Sequence, residues 1–327
     1  MRFGAFVPQG WRLDLVGVPK EEHWPTIVDV AKTIEASGFE SLWVFDHFHT
    51  IPVPTQEVTY EAWTLMSALA ATTETVRLGQ MCTSNSYRPP AYLAKVAACV
   101  DVISRGRLEV GIGGGWYEHE YLGYGYEFPK ASVRLSELEE AVQIMIRMWT
   151  EDEVVFEGEH YQLAGAICRP KPIQKPHIPV WIAGGGEKMT LGIAARFAQY
   201  TNFGWSFEEF KHKIEILAGH CRKIGRDFDS IVRSSNFSLV CASNEKEVNE
   251  KLDWIQDRYR HFVSEEKAAE IRADFASNSG TPEQIVEMLR AWKREGLDYA
   301  IVVMLESAND RTGLELFGRE VIPAMKD

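Results

Sequence analysis

Short, continuously apolar runs alternate with longer amphipathic stretches from one end of this 327-residue chain to the other. Residues 41–45 (SLWVF) show the type: five residues with no polar alternation. A strand buried on both faces needs that pattern, and a parallel sheet covered by helices supplies it. Residues 2–7, 76–82, 107–112, 180–183, 200–203, 234–242 and 297–304 read the same way or as weaker versions. Between them the apolar positions recur with helical spacing over 22–37, 61–73, 90–103, 135–149, 189–198, 207–224, 246–258, 281–295 and 312–325. Local punctuation agrees. Gly38 follows the first helix pattern, Pro90 opens the third, and Thr281-Pro282 starts the eighth.

Eight strands with intervening helices predict an α/β chain closed into a (β/α)8 TIM barrel, read as a single domain over 1–327. An open doubly wound sheet is the alternative. Two segments fall outside the repeat. Residues 154–163 (VVFEGEHYQL) predict an antiparallel hairpin, and the charged stretch 259–279 predicts a loop-helix insertion at the barrel mouth, a candidate lid.

Hydrophobic residues make up 45% of the chain, enough for a large core, and the formal net charge is −12. That balance argues against a nucleic-acid groove or a membrane-surface patch, since both need clustered Lys and Arg. No apolar run is long enough to span a bilayer. Residues 1–8 (MRFGAFVP) read as a first strand rather than a signal peptide. The five cysteines, Cys82, Cys99, Cys168, Cys221 and Cys241, form no C-x-x-C pair and are odd in number. Reduced thiols in a cytoplasmic protein are the simplest reading, with no metal site.

Three strand patterns end in chemistry-bearing residues. Asp46-His47 follows the second strand. The imidazole can exchange protons near neutral pH while the carboxylate orients it; equally, Asp46 can cap a turn and His47 can be a satisfied loop residue. Gly111-Ile112-Gly113-Gly114-Gly115-Trp116 follows the fourth. It is no dinucleotide fingerprint, because Trp116 stands at the sixth position of G-x-G-x-x-G. Glycines there let backbone N–H groups approach an anion or a flat ring, and four in five positions look like more than packing. Ala183-Gly184-Gly185-Gly186-Glu187 follows the fifth and leads into a helix start, a ready phosphate cradle. The third strand ends Met81-Cys82-Thr83-Ser84-Asn85. Cys82 reads as a small buried hydrophobe, with a nucleophilic role the lesser option.

In their order and spacing, FDHF, GIGGGWYEHEY, WIAGGGE and the closing GTPEQIVEML with GLDYAIV resemble the luciferase-like superfamily, in its coenzyme F420 branch. The resemblance covers essentially the whole chain. It implies a deazaflavin in the barrel mouth, with FMN as the alternative cofactor. Asp46 and His47 are then the pair beside the reactive ring, with His47 handling a proton. Met81-Cys82 falls at a non-prolyl cis peptide behind the ring, and Thr83 touches the ring edge. Gly114, Gly115 and His119 line the cofactor, and Ala183, Gly184, Gly185, Gly186 and Glu187 cradle its phosphate. A homodimer through residues 62–71 and 91–98 is also implied.

One position departs from the branch. Sugar-phosphate dehydrogenases place a Glu where this chain has Trp116, so the resemblance points away from glucose-6-phosphate and toward an apolar pocket walled by Trp116. The expected activity is hydride transfer between F420 and a small organic substrate, with a separate F420 or flavin reductase supplying reduced cofactor. An FMN-dependent monooxygenase and a non-catalytic flavin- or deazaflavin-binding protein are the alternatives.

Overall fold

The computed structural model describes residues 1–326. The strands are β1 (Arg2–Phe6), β2 (Ser41–Val44), β3 (Arg77–Gln80), β4 (Thr83–Ser84), β5 (Leu108–Gly113), β6 (Val154–Glu157), β7 (Gln162–Ala166), β8 (Val180–Ala183), β9 (Tyr200–Asn202), β10 (Val232–Ser238) and β11 (Tyr299–Val303). The helices are α1 (His23–Ala36), α2 (Ala62–Thr72), α3 (Pro90–Ile103), α4 (Glu118–Gly123), α5 (Ala131–Thr150), α6 (Thr190–Phe197), α7 (Phe207–Ile224), α8 (Glu245–Arg260), α9 (Glu265–Ala276), α10 (Pro282–Arg294), α11 (Thr312–Leu316) and α12 (Ile322–Ala324). The fold is a closed parallel (β/α)8 barrel built on β1, β2, β3, β5, β8, β9, β10 and β11. β4 continues β3 after a break, and β6 with β7 forms the separate antiparallel hairpin.

The chain divides into two compact units, residues 1–61 with 234–327, and residues 62–233. In the discontinuous unit, β1 lies between β2 and β11, with Gly4 opposite Ser41 and Arg2 opposite Tyr299. β11 also pairs with residues 234–238 of β10. Every residue of β2 and β11 is buried, as strands covered on both faces require. Gly4 has no room for a side chain: a Cβ there would lie 2.4 Å from Trp43 Nε1. That indole N–H donates to Ser41 Oγ (2.6 Å), which bonds the Tyr299 hydroxyl (2.6 Å), so the polar atoms inside this sheet satisfy one another.

In the continuous unit, β5 pairs with β3, β4 and β8, and β8 pairs with β9. Glu109 is buried on β5, where it accepts from Trp181 Nε1 (2.7 Å) and pairs with Arg77. A buried carboxylate persists because both partners are present.

Helix ends follow the sequence. Ser206 caps α7 by accepting from Glu209 N (3.3 Å), and Gly225 closes it in the left-handed conformation at φ 68°. Pro282 opens α10, and Gln284 reaches back to accept from the Thr281 backbone N–H (2.9 Å). Three features differ from the sequence reading. The segment 312–325 is not one helix: α11 passes into a π-helical turn at Phe317–Val321 before α12. Pro323 has no N–H for the carbonyl one turn back and its ring crowds that carbonyl, so regular α geometry fails there. α4 is six residues in a glycine-rich, aromatic segment, too short to show a helical period in the sequence. The strand predicted over 234–242 ends at Ser238, after which the chain turns to bridge Cys241 to Gly280.

Candidate active site

In parallel barrels, chemistry sits at the carboxyl ends of the strands. In the discontinuous unit, the segments after β1 and β2 interlock there. The Gln9 amide donates to Phe45 O (2.7 Å) and Tyr60 O (2.6 Å), and its oxygen accepts from Phe45 N (2.8 Å). Phe45 stacks on Phe6 with centroids 4.0 Å apart at 5°. Trp11 packs on Phe45 at 4.2 Å and lies flat on His47, 4.2 Å away at 2°. Asp46, between these two aromatics in sequence, is 1% exposed. The sequence reading named Asp46 and His47; the structure adds Gln9 and Trp11 as the residues that fix them.

Arg12 lies over the Trp11 and Phe45 rings, 5.5 Å from each centroid, and Nη1 donates to Ser238 Oγ (3.2 Å). Burial holds its guanidinium below the ordinary value. Asp14 accepts from the backbone N–H groups of Gly10 and Gln9, but burial outweighs those bonds and raises its carboxyl. Trp11 Nε1 and Arg12 Nε are buried donors with no hydrogen-bond partner among the described residues. Two unsatisfied donors beside a stacked imidazole are a place for acceptor atoms of a ligand.

In the continuous unit, β3 runs into a cis peptide between Met81 and Cys82, the bond the resemblance implied. Thr83 is fully buried and donates to Gln80 Oε1, while Gln80 Nε2 and Asn85 Oδ1 are buried without partners among the described residues. Asn85 Nδ2 donates to Tyr161 OH (3.2 Å). A donor and an acceptor are thus left open on either side of Cys82, which is half-buried.

The glycines after β5 have a packing cause that the sequence does not show. A Cβ on Gly111 would lie 2.0 Å from Gln80 O, on Gly113 2.8 Å from Cys82 Sγ, and on Gly114 2.9 Å from Leu135 Cδ2. Gly115 has φ +70°, and its Cβ would lie 1.8 Å from the Tyr121 hydroxyl, which bonds Ser84 Oγ (2.8 Å). The chain's own atoms fill the side-chain position at all four, so packing requires glycine here whatever their backbone N–H groups meet. His119 and Trp116 stand on the surface; Trp116 is 60% exposed and stacks on Tyr117 at 5.0 Å.

The glycines after β8 are more open. Gly184 has φ +116° with only Thr190 near its Cβ position, at 3.5 Å, and Gly185 faces Lys213, at 3.3 Å. Gly186 abuts Thr190 Oγ1 at 2.6 Å. Ala183 ends the strand half-buried. Glu187 turns outward to Lys213 (2.8 Å) and His212 (3.1 Å), whose hydrogen bonds lower its carboxyl. Lys213 was not singled out in the sequence, because a lysine on an amphipathic helix carries no one-dimensional mark.

Among the described residues, no helix is long and apolar enough to cross a membrane, and no group of three or more His, Cys, Asp or Glu could hold a metal ion.

Comparison with known proteins bears on this arrangement. An F420-dependent glucose-6-phosphate dehydrogenase of Nocardia farcinica is 28% identical over 324 residues, covering 92% of this chain and 94% of its own. An FMNH(2)-dependent dimethylsulfone monooxygenase of Pseudomonas putida is 25% identical, covering 91% of this chain and 87% of its own. Among solved structures, an F420-dependent secondary alcohol dehydrogenase in complex with an F420-acetone adduct superposes with a TM-score of 0.80 at 21% identity, covering 100% of this chain and 99% of the other. That likeness shows the fold. The luciferase-like monooxygenase family profile matches residues 1–299, and this chain belongs to that family.

Proposed function

We propose that this protein is an F420-dependent oxidoreductase that moves a hydride between the deazaflavin and a small organic substrate. The observation that carries the reading is the cluster after β1 and β2: His47 lies flat on Trp11, Asp46 is buried beside it, and the Trp11 indole N–H is unsatisfied. The F420-dependent relative across nine-tenths of the chain supports the cofactor.

The residues present fit a flavin-type ring and its phosphate tail. Gln80 Nε2 and Asn85 Oδ1 offer one open donor and one open acceptor, matching a pyrimidine edge that carries both. Gly184 and Gly185 leave room and backbone N–H groups for a phosphate, beside a Lys213 that would have to share its charge between that phosphate and Glu187. We assign Met81, Cys82, Thr83, Gly114, Gly115 and His119 to the ring and its tail, and Ala183, Gly184, Gly185, Gly186 and Glu187 to the phosphate end. A bound deazaflavin supplies hydride transfer at a ring carbon and lacks the nitrogen that supports oxygen activation. Trp11 holds the His47 ring in one plane, and His47 exchanges a proton with substrate through an imidazole nitrogen. Asp46 keeps that imidazole oriented, and Trp116 offers a flat apolar wall to substrate.

A second reading, an FMN-dependent monooxygenase, is favoured by the dimethylsulfone enzyme at similar coverage. Equilibrium titration with reduced F420 and reduced FMN separates the two. The proposal expects markedly tighter deazaflavin binding and no oxygen uptake with reduced FMN. A preference for FMN with oxygen consumption overturns it. Where the reaction consumes reduced cofactor, a separate F420 or flavin reductase supplies it.

We also infer a homodimer through α2 and α3, since Tyr92 (60% exposed), Val102 and Ile103 leave an apolar face on α3. Five free thiols fit a reducing compartment, the cytoplasm.

A further inference from the structure

The discontinuous unit holds a cavity of about 650 Å³ whose lining comes entirely from segments 241–254 and 306–319. None of its lining residues belongs to the proposed flavin site. Glu306 lines it from the 3-10 turn after β11, at 3% exposure. Both of its carboxylate oxygens are buried without a hydrogen-bond partner among the described residues. Leaving such a group unpaired is expensive, and a few such atoms at most survive in a folded protein without a reason.

Lys251 does not supply the missing bonds. Its Nζ stands 3.8 Å from Glu306 Oε1, beyond hydrogen-bond reach, and is committed to Asp310 (2.8 Å) and Thr312 Oγ1 (3.1 Å). Asp310 is in turn satisfied by Lys251 and by the Thr312 N–H and hydroxyl. Glu306 is therefore the one carboxylate of this lining set with both oxygens buried and open. The lining is acidic: Glu306 and Asp310 are joined by Glu247, Glu250 and Glu315, against Lys251 and Arg319. Ala242, Trp254 and Leu316 give it an apolar side.

We propose that this cavity is a binding site for an alkylammonium ion, whose N–H donors satisfy Glu306 and whose alkyl part rests against Trp254 and Leu316. A single carboxylate suits a compact organic cation, because a metal ion needs several oxygen ligands at once. Charge-assisted hydrogen bonds to a desolvated carboxylate are the strong kind. Burial pushes the Glu306 carboxyl up to about 7, so a bound cation also draws it toward its ionised form.

The probe is n-butylammonium chloride, added to the full chain and followed through the Gly313 backbone amide by NMR. A Cβ on Gly313 would lie 3.2 Å from Glu306 Oε1, so this residue sits against the carboxylate and its amide is a local reporter. The expected result is saturable binding at about millimolar concentration. n-Butanol and potassium chloride should give no saturable shift. Glu306→Gln should weaken binding at least about tenfold. Lys251→Met, which removes the competing cation and leaves Glu306 in place, should tighten it severalfold. No saturation with the wild-type chain, equal binding of n-butanol, or unchanged affinity in either variant overturns the proposal. Reduced-cofactor titrations are independent of this outcome, since they report on residues outside the cavity.

Discussion

His47 and Glu306 are ordinary letters in the sequence, and their surroundings set them apart. Replacing His47 with Ala removes the proton-exchanging ring but leaves Gln80 Nε2 and Asn85 Oδ1, the open donor and acceptor that fit the cofactor. Turnover should fall by about 100-fold or more while cofactor affinity changes little; steady-state rates beside an equilibrium titration check it, and equal losses in both would mean a binding role. For Glu306 the folded state raises the carboxyl from 4.5 to about 7 through burial, with Lys251 opposing. The folded chain thus keeps a proton that the unfolded chain releases. Its contribution is full below about pH 4.5 and is lost as pH rises through about 7, amounting to on the order of 3 kcal/mol at most. Urea midpoints of wild type and Glu306→Gln should converge at high pH differently from low: the wild type loses stability relative to the variant between pH 5 and 8, and parallel profiles would contradict the burial argument. Asp46 and His47 could be picked from the sequence because they follow a strand with no polar interruption. Glu306 could not, since nothing in Leu-Glu-Ser-Ala marks a carboxylate 3% exposed.

At the scale of elements, helix limits were legible wherever the chemistry of the ends was local. α3 and α7 lie where spacing and caps put them, over Pro90–Ile103 and Phe207–Ile224. The glycine run after β5 shows the opposite case. Its reason lies in Gln80, Cys82, Leu135 and Tyr121, all outside the run, and no local pattern names them. The π-helical turn at Phe317–Val321 is shaped by such a neighbour as well as by Pro323. A Cβ on Gly318 would lie 2.3 Å from Ser37 O at the end of α1. Gly318→Ala should therefore destabilise: the steric cost of about 1–3 kcal/mol exceeds the gain of about 1 kcal/mol that alanine has over glycine in a helix. A lower urea midpoint with unchanged slope is the expected signature, and a stabilised variant would show that the α1 end yields freely.

For the whole molecule, the sequence yielded the barrel and its family because eight apolar runs with helices between them leave few other solutions. It did not yield the division into two units, which depends on contacts between distant segments. The thiols give a test at this scale. Cys168, Cys221 and Cys241 are buried, and burial raises all three thiols, Cys241 to about 12. Cys82 and Cys99 are half-buried. A thiol-reactive dye should modify Cys82 in the native protein, Cys99 only where the α3 face inferred to meet a second copy is uncovered, and all five cysteines in denaturant; rapid native reaction of Cys168, Cys221 or Cys241 would mean that the core opens more readily than this packing allows. The order of synthesis adds a further consequence. Residues 62–233 leave the ribosome as one uninterrupted stretch, whereas Arg2 must wait for Tyr299, on the last strand of the barrel, before β1 gains its neighbour on that side. β1 therefore lacks its β11 neighbour from its own synthesis until residues 299–303 are made, an interval in which a holding chaperone would shield that open edge.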